Sequence, residues 1–290
     1  MCEEFKLVFI GIGAARSGTS WLSNCLRAHP DICLSEPREI QYFNLQHQEY
    51  GINKNHTKAF AWYTNHFRHC KAGKIKGEFS PIYFYDKQAP ALIKKYFPEI
   101  RLILCLRNPI DRAYSHYWLL RNVKRTENRK FETAIREDSH YIERGFYAMQ
   151  LRPYLELFKR DQILILLFDD LRNHPVEEIA RVFRFLDVRT DIDIDLNVLT
   201  RKTNQSRKIR VKNLQNILDA VQSFLIDKRL SFMPALLRNI GISGFITKLN
   251  APPYNYPPMK SETRKLLRNL FDDDIKELQI ILNRDLSHWT

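Results

Sequence analysis

Short, unbroken apolar runs punctuate a chain that is otherwise a mixture of polar and apolar positions. Residues 7–11, 101–106 and 162–168 form such runs. They are too short for buried helices and too continuous for strands with one wetted face, so they read as strands covered on both sides. Residues 76–80 supply a fourth strand and residues 32–35 a short fifth. Between the runs the apolar spacing lengthens to a helical period, over 19–28, 57–67, 87–96, 110–123 and 147–159. Alternation of this kind predicts an α/β fold, a P-loop-like open parallel β-sheet flanked by helices. A further helix spans 175–186, with Pro175 at a favourable first position. Helices over 212–224 and 262–282 follow, the second with Ser261 as its N-cap candidate. Pro234, Gly241, Gly244, Pro252, Pro253, Pro257 and Pro258 make 229–258 a loop-rich insertion or lid. The expectation is one domain over 1–290 with a loop-rich, helical C-terminal part.

The first strand runs into Gly11-Ile12-Gly13-Ala14-Ala15-Arg16-Ser17-Gly18-Thr19-Ser20 and then a helix. A strand, a glycine-bounded loop and a helix N-terminus place backbone N–H groups around an anion. The spacing Gly13-x4-Gly18-x-Ser20 copies a nucleotide-binding P-loop, except that Thr19 stands where ATP- and GTP-binding loops carry lysine. The loop therefore reads as a phosphate cradle that does not reach a γ-phosphate, and an ordinary tight βα turn is the alternative. A second candidate lies behind the strand at 101–106. Arg107 emerges at its carboxyl end, where ligands sit in open α/β sheets, and Ser115 follows about two turns into the next helix. An arginine and a hydroxyl make a clamp for a dianion; as isolated residues they equally suit a sheet cap and an incidental serine.

Taken together, these segments resemble the sulfotransferases that use 3′-phosphoadenosine 5′-phosphosulfate (PAPS) and release PAP. Ala15-Arg16-Ser17-Gly18-Thr19-Ser20-Trp21 looks like that family's 5′-phosphosulfate loop. Arg107-Asn108-Pro109-x-x-Arg112-Ala113-Tyr114-Ser115 looks like its 3′-phosphate motif. Arg38-Glu39-Ile40-Gln41-Tyr42-Phe43 is similar to the segment that carries the catalytic glutamate in heparan-sulfate-type members and their bacterial relatives. Gly77-Glu78-Phe79-Ser80-Pro81, the Tyr147 to Leu151 segment and the ending Asn283 to Trp289 fit the bacterial branch. The resemblance implies that Arg16, Ser17, Gly18, Thr19 and Ser20 grip the phosphosulfate, with Trp21 beside the adenine. It implies Arg107 and Ser115 on the 3′-phosphate and Glu39 as general base. Two departures follow: arginine replaces the usual lysine at Arg16, favouring charge stabilisation over proton donation. Phe79 replaces a frequent lysine, which with residues 60–63 suggests a compact, partly apolar acceptor pocket. A structural ion pair with Arg38 is the competing role for Glu39. His47 and His116 are the substitute bases, and the basic run 201–212 falls where the family has a loop over the nucleotide.

Composition narrows the partners. The chain has 46 basic and 33 acidic residues, a formal +13, which suits an anionic ligand. A basic nucleic-acid module would show aromatics interleaved with Lys and Arg, which the pattern lacks, so no nucleic acid is expected. A P-loop kinase or NTPase is the alternative enzyme, opposed by Thr19 and by Arg107 where a Mg²⁺-binding aspartate belongs; Asp169 and Asp170 are the residues that keep it open. The histidines show no HxxxH or HExxH spacing, so no metal site is expected. Cys2, Cys25, Cys33, Cys70 and Cys105 are an odd, scattered set and read as reduced thiols of a cytoplasmic protein. No run approaches the roughly 20 apolar residues of a membrane span. The expected partner is a small-molecule or sugar acceptor.

Overall fold

A computed structural model of the 290-residue chain describes residues 5–45, 53–192 and 254–289. Five strands form one parallel sheet in the order β2-β3-β1-β4-β5. They are β1 (Phe9–Gly13), β2 (Ile32–Leu34), β3 (Ile75–Phe79), β4 (Arg101–Leu106) and β5 (Ile163–Leu167). The apolar runs became strands because nearly every residue in β1, β4 and β5 is buried, leaving no face for polar alternation. The helices are α1 (Thr19–Ala28), α2 (Phe60–Asn65), α3 (Ala89–Tyr96), α4 (Pro109–Leu119), α5 (Phe131–Glu137), α6 (His140–Glu143), α7 (Tyr147–Leu157), α8 (Phe168–Asn173), α9 (Pro175–Leu186) and α10 (Ser261–Leu282). The α/β expectation holds. The helix expected over 57–67 breaks into a 3₁₀ turn, Lys54–Thr57, and the short α2. Helices α5, α6 and α8 carry too few residues for a periodic signal and were not foreseen. Ser261 is the first helical residue rather than the cap. Residues 193–253 lie outside the described residues, and with them the expected helix over 212–224 and most of the loop-rich segment.

The described residues form two compact units. The first takes 5–45, 53–113, 140–192 and 261–289; the second takes 114–139 and 254–260, the boundary falling within α4. In the first, Leu22, Cys25 and Leu26 of α1 and Ile179, Val182 and Phe183 of α9 join the sheet residues Phe9, Ile103, Cys105 and Leu166 in one core. Burial of such side chains supplies roughly 1.5–3 kcal/mol each. A second cluster in this unit is aromatic, with Phe5, Tyr42, Phe43, Phe60, Tyr63 and Phe97 in mutual ring contact. In the second unit, Trp118 of α4 stacks on Tyr256 at 5.7 Å, and the Tyr114 hydroxyl donates to the Pro257 carbonyl at 2.8 Å. Residues 254–258 form neither helix nor strand, as their prolines require.

Candidate active site

The loop between β1 and α1 leaves the carboxyl edge of the sheet and turns through two left-handed residues, Arg16 (φ 73°) and Gly18 (φ 94°). Glycine takes that conformation without a Cβ penalty, whereas arginine accepts about 1–2 kcal/mol of strain, a cost that concentrates at ligand-binding turns. A Cβ on Gly18 would also meet Leu171 and Phe168 at 3.3 Å. Helix α1 starts directly behind it, with Gly18 at the cap position, no capping side chain and no acidic residue in the first turn. Its first N–H groups and positive dipole end are thus available to an anion. Ser17 is fully buried, and its hydroxyl faces that of Tyr147 without a well-formed hydrogen bond. Burial pushes the Tyr147 phenol up to about 12, so it stays neutral. Trp21 is half-buried and packs against the main core.

Arg107, Arg112 and Arg144 gather around this loop, beside its own Arg16. Arg107 extends from the end of β4 and donates to the Arg16 carbonyl at 3.4 Å, its guanidinium lying 4.7 Å from the Phe168 ring centre. Arg112, on the first turn of α4, is 1% exposed and donates to the Tyr141 carbonyl, while its Nε and Nη1 have no hydrogen-bond partner. Burial lowers its pKa to about 10; neighbouring Tyr147 opposes that shift, and the charges of Arg144, Arg107 and Arg16 add to it. A recess beside it is lined by Ala14, Ala15, Pro81, Arg112, Arg144 and Gln150. Mutual repulsion among buried or half-buried guanidiniums is relieved by a polyanion, and the uncapped helix aims at the same place. The residues present therefore fit a phosphate-type polyanion. Asn108 serves the framework: its Oδ1 accepts from Ile110 N at 2.9 Å and its Nδ2 donates to the Trp289 carbonyl at 2.8 Å. Ser115 and His116 lie on α4 in the second unit, Ser115 buried and His116 half-buried. His47 and the basic run 201–212 lie outside the described residues.

Glu39 is brought to the glycine loop by Arg38. The Arg38 guanidinium donates through Nη1 to Ser20 Oγ at 2.6 Å and pairs through Nη2 with Glu39 Oε1. The two proposed halves of the site, nucleotide loop and carboxylate, are thus joined by one side chain. Residues 36–43 have no regular structure, and their backbone is held by the end of β3 instead. Gln41 N donates to Ser80 Oγ at 3.1 Å, and Tyr42 N donates to the Tyr83 hydroxyl at 2.8 Å. Both hydroxyls pass the bond on to Glu78: Tyr83 donates to Oε1 at 3.0 Å and Ser80 to Oε2 at 3.2 Å. Tyr63 adds a third hydroxyl at 3.2 Å, and the Ile40 amide also donates to this carboxylate. Glu78 is completely buried, and desolvation raises its pKa to about 7 despite those donors. Arg38 appeared in the sequence only as a rival partner for Glu39, and Glu78 only as part of a motif. The signal that could have found the network is the cluster Glu78-x-Ser80-x-x-Tyr83 at a strand end, where polar residues in an apolar stretch need mutual partners.

Three expectations need correction. Phe79 does not face an acceptor: it is 1% exposed, its ring lies where a Cβ on Gly11 would stand, and it packs edge-on against Phe9. Tyr63 is buried and Phe60 stacks on Tyr63 and Tyr96, so the Phe60 and Tyr63 rings belong to the aromatic cluster rather than a pocket wall, while Ala61 is exposed and Trp62 half-buried. Cys33 and Cys70 are joined in a disulfide, against the expectation of reduced thiols; Cys25 and Cys105 are free and buried, with thiol pKa values pushed to about 12 by desolvation. The aspartates that kept a Mg²⁺-dependent reading open are engaged elsewhere. Trp289 Nε1 donates to Asp169 at 3.0 Å, and Arg284 pairs with Asp170 at 3.0 Å. Among the described residues no helix is long and apolar enough to cross a membrane.

Known proteins point the same way as this geometry. The family model described as "Sulfotransferase domain" matches residues 8–233. The heparan sulfate glucosamine 3-O-sulfotransferase 3B1 of Mus musculus is 30% identical over 187 residues, 61% of this chain and 45% of that protein. The bifunctional heparan sulfate N-deacetylase/N-sulfotransferase 4 of Mus musculus is 26% identical over 298 residues, 95% of this chain and 30% of that protein. The chain thus spans less than half the length of these two relatives. A crystal structure of a sulfotransferase from Alicyclobacillus acidocaldarius superposes with a TM-score of 0.70 at 21% identity, covering 99% of each chain, and shares the fold. A family match over most of the chain establishes that this protein belongs to the sulfotransferase-domain family.

Proposed function

We propose that the chain is a PAPS-dependent sulfotransferase that moves a sulfuryl group onto a hydroxyl or amine of a small-molecule or carbohydrate acceptor. The observation that carries this reading is the Ser20–Arg38–Glu39 bridge, which sets a carboxylate beside an uncapped, arginine-ringed helix N-terminus. When bound, PAPS supplies a sulfuryl group already attached to a phosphate leaving group. The N–H and hydroxyl groups of residues 16–20 hold the phosphosulfate end, and Arg16 balances charge developing on the bridging oxygen. Arg107 and, by resemblance, Ser115 take the 3′-phosphate. Glu39 accepts the proton of the acceptor as its oxygen or nitrogen bonds to sulfur and the sulfur–oxygen bond to phosphate breaks. Arg38 orients that carboxylate and keeps it in register with the loop.

The names of both relatives carry heparan sulfate, which favours a sugar hydroxyl or amine as acceptor. The case for an apolar small metabolite loses its main support with Phe79 in the core. Two measurements test the reading. Thermal shift with 3′,5′-ADP should stabilise the chain, while ATP with Mg²⁺ should not, because a ligand that binds only the native state raises its melting temperature. Incubation with PAPS and a panel of amino sugars, oligosaccharides and phenols should yield a product heavier by one sulfuryl group. Stabilisation by Mg-ATP alone would move the assignment to a nucleotide kinase.

A further inference from the structure

Away from the loop, one cluster among the described residues combines two cysteines and a histidine. Cys33 lies in the edge strand β2, and Cys70 and His69 lie on the connection between α2 and β3. His69 Nε2 is 3.5 Å from Cys33 Sγ and 3.9 Å from Cys70 Sγ. The three side-chain donor atoms lie within 4.8 Å of one another. Zinc holds thiolate sulfur at about 2.3 Å and imidazole nitrogen at about 2.0–2.1 Å, so a tetrahedral site has S···N edges of roughly 3.6 Å. The histidine nitrogen already stands at that edge length from both sulfurs.

We propose that, once the Cys33–Cys70 disulfide is reduced, Cys33, Cys70 and His69 bind one thiophilic divalent cation of the zinc class, with water as the fourth ligand. The cation then replaces the disulfide as the link between β2 and the α2–β3 connection. Reduction by a phosphine is balanced: the phosphine takes the oxygen of one water to become its oxide, and the water's two hydrogens end on the two thiols. Metal binding then displaces both thiol protons, since the thiolate is the ligand. His69 Nε2 now donates to the Leu34 carbonyl at 3.1 Å; as a ligand it carries its ring proton on Nδ1 and releases that carbonyl. Two thiolates and an imidazole select zinc over magnesium or calcium. Cys25 and Cys105 do not compete, being buried. The link matters because β2 leads within six residues to Glu39, so either chemistry tethers the strand that delivers the carboxylate.

The test uses the full chain carrying Cys2→Ser, reduced with a phosphine and titrated with Zn²⁺ against a chromogenic chelator. One equivalent should be retained by the reduced protein and none by the oxidised one. His69→Ala should weaken binding at least about tenfold, since removal of a ligand costs more than the 10–100-fold typical of an outer-shell partner. Cys33→Ser/Cys70→Ser should abolish it. Co²⁺ in the reduced chain should show thiolate-to-metal charge-transfer absorption that the double variant lacks. The His69→Ala variant keeps both cysteines, so its loss of affinity at unchanged circular dichroism is not a folding artefact. Zinc retention by the reduced chain no greater than by the double variant, or unchanged by His69→Ala, overturns the proposal.

Discussion

The glycine loop and the Glu39 segment place chemical groups at the same edge of the sheet by opposite means. Residues 13–20 are positioned by their own backbone: left-handed turns at Arg16 and Gly18 and an uncapped helix start. Residues 36–43 have no such local determinants. Their amides are fixed by Ser80, Tyr83 and the buried Glu78, all from a segment about forty residues later in the chain. The difference teaches that an anion site can be written locally, because backbone donors point wherever φ and ψ send them. A carboxylate on an irregular segment needs a polar scaffold, and a buried scaffold must be completely hydrogen-bonded to be tolerated.

The comparison breaks most sharply at Glu39. Glu39→Gln should lower turnover by about 10²–10⁴-fold, the usual contribution of a positioned base, with the 3′,5′-ADP thermal shift intact. Undiminished turnover removes Glu39 as base and leaves it the ion-pair partner of Arg38.

Glu78 comes next. Its pKa rises from 4.5 in the unfolded chain to about 7 in the fold. The folded state therefore holds the proton more tightly. This contribution to stability is complete below pH 4.5 and is lost as pH rises through about 7, amounting to about 3 kcal/mol at 1.36 kcal/mol per pKa unit. Urea melts of the wild type and Glu78→Gln from pH 4.5 to 8 should show the wild type losing that amount relative to the variant. A pH-independent difference would show that Glu78 keeps one charge state throughout.

Arg107→Ala tests the loop side of the comparison. Loss of a charge-assisted contact of about 1.5–3 kcal/mol should weaken 3′,5′-ADP binding roughly 10–100-fold, read by calorimetry, with global stability little changed. An unchanged affinity would move the 3′-phosphate site elsewhere. The smallest effect is expected from Tyr83→Phe, which deletes one hydroxyl that accepts from Tyr42 N and donates to Glu78. It should cost about 1–2 kcal/mol in urea melts, within the range for a buried group left unsatisfied. Turnover should fall while nucleotide binding holds; a parallel loss of both would mean that the two segments are not independently positioned.

Much of the sheet and the anion loop was legible because both depend on neighbours in sequence. β4 and helices α1 and α9 fall where the apolar spacing put them, since a doubly covered strand and a 3.6-residue period leave direct traces. The roles expected of Glu39, Arg107 and Ser115 came from resemblance to a family and not from spacing. The disulfide was illegible for the converse reason. Cys33 and Cys70 are separated by 37 positions, and only the parallel pairing of β2 with β3 and the return of the connection bring their Cα atoms to 5.7 Å. Phe79 misled because neighbouring strand residues face opposite ways: Glu78 points into the polar hub and Phe79 into the core.

The amino-acid sequence alone yielded the five strands, most of the long helices between them, the glycine-bounded strand–loop–helix at residues 11–20 and the basic balance that suits an anionic ligand. Those properties are local or additive, so no long-range pairing is needed to state them. Tertiary structure decided which side chains meet: Arg38 between Ser20 and Glu39, Glu78 beneath the Glu39 segment, and Cys33 with Cys70 and His69. Each of those meetings depends on the order β2-β3-β1 and its register, which brings together residues 18 to 39 positions apart. A strand's apolar pattern announces that it will be buried; which strand lies beside it is set by the packing of the whole sheet.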